Sequence, residues 1–102
     1  SGIGAVREAV LGYFDPDTRA YYKEELAESH EIAGMSGNLS LVDGEPTLHL
    51  HATLADRNHR TRAGHLFSAR VSVTVEVECT RLAGTVERKW DEETGLKLLD
   101  LD

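Results

Sequence analysis

The chain has 102 residues, and 11 Lys and Arg against 18 Asp and Glu give a formal net charge of −7. This length suits one domain with a single modest core, and the negative charge disfavours general binding to nucleic acid or to anionic membrane surfaces. A lone cysteine, Cys79, excludes an intrachain disulfide and suits a reducing cytoplasm, where we expect the protein to reside. No apolar run approaches the roughly 20 residues that a membrane-spanning helix needs.

The first part of the chain predicts a β-hairpin. Residues 5–14 (AVREAVLGYF) are compatible with helix or strand, and the turn sequence DPDT that follows favours a strand. Residues 19–26 (RAYYKEEL) then return as its partner. The hairpin carries an aromatic group, made of Tyr13, Phe14, Tyr21 and Tyr22. Packing in the core or at a subunit interface explains this group more simply than stacking on nucleic-acid bases does.

The next segment, His30–Val42, predicts a strand with a bend or bulge at Gly34 or Gly37. The dipeptide Asp43-Gly44 after it is a strong hairpin signal, because both of its residues tolerate the backbone of a tight turn. A further strand is therefore expected directly after this turn.

Residues 67–82 (FSARVSVTVEVECTRL) contain the clearest strand pattern. Four valines alternate with polar residues, at Val71, Val73, Val75 and Val77. We expect this valine face in the core, and Cys79, which is in phase with it, as a small buried hydrophobe. Residues 85–101 predict a final hairpin around the turn DEETG. Together the seven predicted strands indicate a predominantly antiparallel β-sheet or barrel.

A histidine-rich hairpin lies at the centre of the chain, in PTLHLHATLADRNHRTRAGHL. His49 and His51 alternate with leucines and therefore share one face of a half-buried strand. If the hairpin is centred near Asn58, His65 lies opposite His51, with cross-strand Cβ atoms about 4.5–5.5 Å apart. A register slip of one residue would move His65 to the other face.

These three histidines form a candidate site for a divalent metal ion. Neutral imidazole is a good ligand for zinc, copper, nickel and iron, and three protein nitrogens leave one coordination position open. Asp56 or Glu45 could accept a hydrogen bond from a ligating ring and fix its tautomer. The alternative is that all three make ordinary hydrogen bonds on an exposed strand, as we expect for the surface residues His30 and His59.

Covalent catalysis has no support in the sequence, since no serine lies in a nucleophile-elbow context and Cys79 is expected to be buried. A metal-assisted hydrolase or lyase stays open as an alternative to a binding role, because a bound ion can activate water or polarise a carbonyl. No residue has the obvious placement of a general base, so we assign no catalytic residue.

Three stretches, SGIGAV, GNLSLVDGEPTLHLHATLAD and GHLFSARVSVTVEV, together resemble the plants-and-prokaryotes-conserved (PPC) domain over nearly the whole chain. The resemblance implies an α+β fold with a mostly antiparallel sheet, usually assembled as a homotrimer. Prokaryotic members often place the pattern H-x-H followed by G-H at a metal site. Those positions here are His49, His51 and His65, so the resemblance implies a zinc site at these histidines.

Plant members of the family look like nuclear proteins in which an AT-hook reads the minor groove of DNA. This chain has no Arg-Gly-Arg-Pro AT-hook, and binding to AT-rich DNA is therefore kept as an alternative function. Family members also begin with a strand and a helix ahead of the segment that matches SGIGAV. We therefore expect residues 1–102 to form one PPC-like domain that is incomplete at its amino end.

Overall fold

The computed structural model describes residues 1–101, and β-strands make up most of them. The strands in chain order are β1 (Gly2–Asp15), β2 (Ala20–Leu26), β3 (His30–Val42), β4 (Glu45–Ala55), β5 (Thr61–Val77), β6 (Glu87–Asp91) and β7 (Leu96–Asp100). They form where the sequence alternates apolar and polar residues or is rich in β-branched and aromatic side chains. No helix occurs between residues 1 and 101, and so none in that range is long and apolar enough to cross a membrane.

All seven strands belong to one sheet, in the order β2-β1-β5-β4-β3-β6-β7. Neighbouring strands are antiparallel except β3 and β6, which meet in parallel at Leu41 and Glu87. The predominantly antiparallel character agrees with the sequence prediction. The α+β class is not confirmed, because the described residues form a mixed sheet of strands alone.

An additional pairing between β1 and β3 closes β1, β5, β4 and β3 into a ring. Strand β1 makes this possible because two parts of it pair with different strands. Residues 4–6 pair with β3, and residues 9–15 pair with β2. Glu8 lies between the two stretches with a φ of 52°, and such an irregularity bends a strand from one partner to the next. The ring explains how a chain segment without a helix can enclose a core.

The core consists of buried apolar side chains from β1, β2, β3 and β4. Leu54 is the largest fully buried side chain, with 0% of its surface exposed. The buried cluster comprises Val6, Ala9, Leu11, Leu26, Ile32, Ala52 and Leu54. Since Ala52 and Leu54 lie on the core face of β4, the alternating histidines of the same strand lie on the opposite face.

The predicted burial of the valine face was wrong for most of its length. Val71, Val73 and Val77 are 59%, 81% and 58% exposed, and Val75 alone packs against the core. Period-two alternation establishes that the valines share a face, but it does not say what covers that face. Within residues 1–101 most of the valine face has no cover.

Two further residues differ from their predicted environments. Cys79 follows the end of β5 and is exposed, so it is not a core residue. His30, which was expected at the surface, is buried with 7% of its surface exposed. Its Nδ1 atom lies 2.9 Å from the backbone oxygen of Glu28, and this hydrogen bond satisfies the buried ring.

Candidate metal centre

The hairpin between β4 and β5 sets the positions of the histidines. Its turn is held by Asp56, whose Oδ1 accepts hydrogen bonds from the backbone N–H groups of Asn58 at 2.9 Å and Arg60 at 3.0 Å. This turn length fixes the register of the two strands, and His51 lies directly opposite His65. The predicted register is confirmed.

The structure brings all three predicted ligands together on the face of the sheet away from the core. His49, His51 and His65 each offer a ring nitrogen, and these nitrogens all lie within 4.8 Å of one another. Nitrogens that bind one tetrahedral zinc ion at about 2.0–2.1 Å lie about 3.4 Å from one another. The three imidazoles lie close enough together to suit such an ion once their side chains adjust.

The rings are also close to each other as aromatic groups. Their centroids are 5.1 Å apart between His49 and His51, 5.2 Å between His49 and His65, and 5.7 Å between His51 and His65. Three charged imidazoliums at these distances would repel one another strongly. The arrangement therefore favours neutral rings, which have a lone pair to offer.

The surroundings lower the pKa of two of the histidines. Burial is the main cause of the lowered pKa of His49, followed by the positive charge of Arg88 and then by His51. Burial is also the main cause for the lowered pKa of His65, followed by His49 and His51. Both rings are consequently neutral at neutral pH, the state in which imidazole binds a metal.

Aromatic side chains surround His65. The ring of Phe67 lies 4.5 Å and the ring of Tyr21 5.3 Å from the imidazole, measured between centroids. The Nδ1 atom of His65 is buried and has no hydrogen-bond partner among the described residues. A buried nitrogen with an unmet bonding requirement costs free energy, and metal ligation is one way to meet it.

Arg88 is the site residue that the sequence did not reveal. Its Nε donates to Ser40 Oγ at 2.8 Å, its Nη1 to the backbone oxygen of Lys97 at 3.1 Å, and its Nη2 to Asn38 Oδ1 at 3.0 Å. Nη2 also lies 3.2 Å from Nδ1 of His49 and donates to it. No motif marks Arg88, since it reaches the histidines only through the pairing of β6 with β3.

The predicted hydrogen-bond acceptors for the histidines do not serve in that role. Asp56 uses its carboxylate to hold the turn, at the opposite end of the hairpin from His49. In residues 1–101, no hydrogen bond joins Asp56 or Glu45 to any of the three histidines, and Arg88 makes the contact to His49 instead.

The fold and the cluster define a small domain of one mixed β-sheet that carries a three-histidine candidate metal site on its outer face. The chain belongs to the family of the Plants and Prokaryotes Conserved (PCC) domain, whose family model matches residues 1–83. This is the PPC family that the sequence motifs resemble. The hairpin of β6 and β7, which carries Arg88, lies beyond the matched residues.

Solved structures of several proteins are similar to the chain. A putative DNA-binding protein from Bacteroides thetaiotaomicron has 32% identity and a TM-score of 0.88, over 97% of this chain and 69% of that one. A metal-containing protein from Archaeoglobus fulgidus has 41% identity and a TM-score of 0.79, over 96% and 69%. A plant- and prokaryote-conserved protein from Pyrococcus horikoshii has 31% identity and a TM-score of 0.81, over 97% and 68%. Comparison with curated proteins gives no match.

Proposed function

We propose that this PCC-domain protein binds a divalent metal ion, zinc, through His49, His51 and His65. The observation that carries the proposal is the convergence of three ring nitrogens within 4.8 Å on one face of the sheet. The similarity to an Archaeoglobus fulgidus protein named as metal-containing supports it, at 41% identity. Neutral imidazoles suit zinc, and the family resemblance favours it over copper, nickel and iron, which imidazole also binds.

When bound, zinc supplies a Lewis-acid centre with an open coordination position beside the three rings. The chain itself contributes the neutral state of His49 and His65, which burial maintains. We assign a binding role, which the three converging ring nitrogens support, and we name no catalytic residue.

Metal analysis of protein purified without a histidine tag tests this proposal. We expect close to one zinc ion per chain at neutral pH, and a large loss of metal in His51→Ala. The matched control is His59→Ala, since His59 is exposed in the turn of the same hairpin and lies outside the cluster. Metal content near zero in the unaltered chain, or equal content in the two variants, would argue against the site.

We also propose that the protein assembles as a homotrimer through the valine face of β5. Val71, Val73 and Val77 leave more than half of their surface exposed, and neighbouring apolar side chains on a strand are typical of a surface that is covered on association. The number of three subunits follows from the family resemblance.

A second candidate function is association with AT-rich DNA. The similarity to a Bacteroides thetaiotaomicron protein named as a putative DNA-binding protein favours it, as do the exposed Arg57 and Arg60 in the β4–β5 turn. The net charge of −7 opposes it. Measuring the affinity for an AT-rich duplex at several salt concentrations tests this candidate. Contacts to phosphates make the affinity fall steeply as the salt concentration rises. No binding at low salt would remove this candidate.

A further inference from the structure

A cavity of about 380 Å³ lies beside the histidine cluster, between the hairpin of β6 and β7 and the sheet face that carries His49 and His65. Much of its lining is apolar, from Leu96, Leu98 and Tyr21. Arg88 also borders the cavity. The cavity therefore combines leucine side chains with a guanidinium, and its volume is in the lower part of the range usual for small-molecule pockets.

Arg88 carries the uncompensated positive charge of this cavity. The other cation that lines it, Lys97, is paired with Asp43 at 3.3 Å between Nζ and Oδ2. No carboxylate forms an ion pair with Arg88 in residues 1–101. Its partners are a hydroxyl, an amide oxygen, a backbone oxygen and a ring nitrogen, all of them neutral acceptors.

These four hydrogen bonds hold the guanidinium in place but do not use all of its N–H donors. A guanidinium has five N–H groups, so one of them has no partner among residues 1–101. A half-buried arginine with a fixed plane and a free N–H is prepared to receive an anionic oxygen, because its side chain loses little further freedom on binding. Charge-assisted hydrogen bonds of this kind are roughly twice as strong as neutral ones.

We infer that this cavity binds a small organic acid, with its carboxylate on Arg88 and its apolar chain between Leu96, Leu98 and Tyr21. A monocarboxylate fits better than a phosphate, because a single guanidinium faces the cavity and the net charge of −7 penalises anions of higher charge. The inference goes beyond metal binding and does not need an ion in the histidine cluster. The two proposals can therefore fail separately.

The experiment is a calorimetric titration of metal-free protein, prepared with a chelator, using hexanoate as the ligand. We expect saturable binding of hexanoate with one site per chain. Hexanamide, which has the same shape without the charge, should bind at least about tenfold more weakly. Acetate should also bind more weakly, since it lacks the chain that the leucines cover. No saturable binding of hexanoate, or equal binding of hexanoate and hexanamide, overturns the inference.

Single-residue variants test whether hexanoate binds in this cavity. Arg88→Gln should lower the affinity for hexanoate by about tenfold or more, whereas Arg70→Gln should leave that affinity unchanged. Arg70 is the matched control because it pairs with Glu8 on the exposed surface and does not line the cavity. Leu98→Ala should lower the affinity for hexanoate and leave the affinity for acetate unchanged. Full hexanoate affinity in a folded Arg88→Gln protein overturns the inference; if that variant fails to fold, the comparison of hexanoate with hexanamide in the unaltered chain decides.

Discussion

The guanidinium of Arg88 donates a hydrogen bond from Nη2 to Nδ1 of His49 across 3.2 Å, although the two residues are 39 positions apart. Because a guanidinium is always a donor, the neutral ring of His49 carries its proton on Nε2. The lone pair of Nδ1 is thus already engaged, and a metal ion needs a lone pair of the same ring. Arg88 therefore competes with a cation for His49, through this hydrogen bond and through its charge.

Zinc is expected to stabilise the protein against heat at pH 7.5. A ligand that binds only the folded state adds free energy by mass action, about 2.7 kcal/mol at a concentration of 100 times Kd. Differential scanning calorimetry with zinc and with chelator measures the shift in Tm. The shift should vanish in His49→Ala and persist in His59→Ala. It should also fade by pH 5.5, because protons displace the metal from imidazoles. A zinc shift that survives His49→Ala would contradict the site.

Without metal, stability should fall as the pH is lowered from 7.5 to 5.5. The pKa values of His49 and His65 are lowered by burial in the folded protein, whereas both residues titrate near pH 6.5 in the unfolded chain. Above that pH neither state takes up protons at these rings. Below it the unfolded chain takes up protons first, so the free energy of unfolding decreases.

Urea unfolding in chelator at both pH values measures this effect. His65→Gln should reduce the difference between pH 7.5 and 5.5, and His59→Gln should not. Asp56, whose pKa is lowered from 3.8 mainly by the backbone hydrogen bond from Arg60, responds only at lower pH and does not enter this window. An unchanged pH dependence in His65→Gln would show that the ring is not held neutral by the fold.

Removal of the most buried side chain should test the ring-shaped core. Leu54→Ala is expected to lower the free energy of unfolding by about 2–5 kcal/mol, the range for leucine truncation in a packed core. Leu39→Ala is the matched control, because Leu39 is 63% exposed and should change stability by no more than about 0.5 kcal/mol. Urea denaturation of both variants gives the comparison. Similar values for the two would mean that Leu54 is not central to the core.

The sequence was sufficient to predict the histidine hairpin because the information there is local. A short turn fixes strand register, and register fixes which residues face each other, so His51 and His65 could be paired from spacing alone. The turn at Asp43 and Gly44 was predictable for the same reason, and both residues have positive φ values, of 50° and 81°.

Features that depend on distant segments were not predictable in this way. Arg88 reaches His49 only because β6 pairs with the edge of β3. No local sequence pattern predicts this parallel pairing. The valines of β5 were assigned to the core because alternation indicates a shared face, but their exposure depends on which other segments cover it. His30 was assigned to the surface by residue type, whereas its position at the start of β3 buries it.

The exposed valine face leads to a prediction about assembly. Val73 is 81% exposed, so Val73→Glu should fold normally as a single chain and should prevent burial of this face between subunits. Light scattering should give a trimer mass for the unaltered protein and a smaller mass for the variant. The control is Leu39→Glu, which places the same charge at an exposed leucine on β3. A monomer mass for the unaltered chain at micromolar concentration would contradict the trimer.

The competition between Arg88 and a cation predicts that Arg88→Gln binds zinc more tightly. The substitution removes a positive charge beside the site and frees Nδ1 of His49, and the glutamine oxygen can accept from a ring N–H if the tautomer changes. A gain of about tenfold in affinity is expected from one released hydrogen bond with its charge. Removing Arg88 also raises the pKa of His49, since its charge contributes to the lowered value.

That second effect strengthens proton competition and acts in the opposite direction, so the measurement belongs at pH 8, above the titration of imidazole near 6.5. Competition with a chromophoric zinc chelator at low salt gives the affinity. Lys97→Gln is the matched control, because it also removes one positive charge from the cavity, but one already paired with Asp43. It should change the affinity by no more than about twofold. Unchanged or weaker zinc binding in a folded Arg88→Gln protein would show that Arg88 supports the histidine site instead of competing with it.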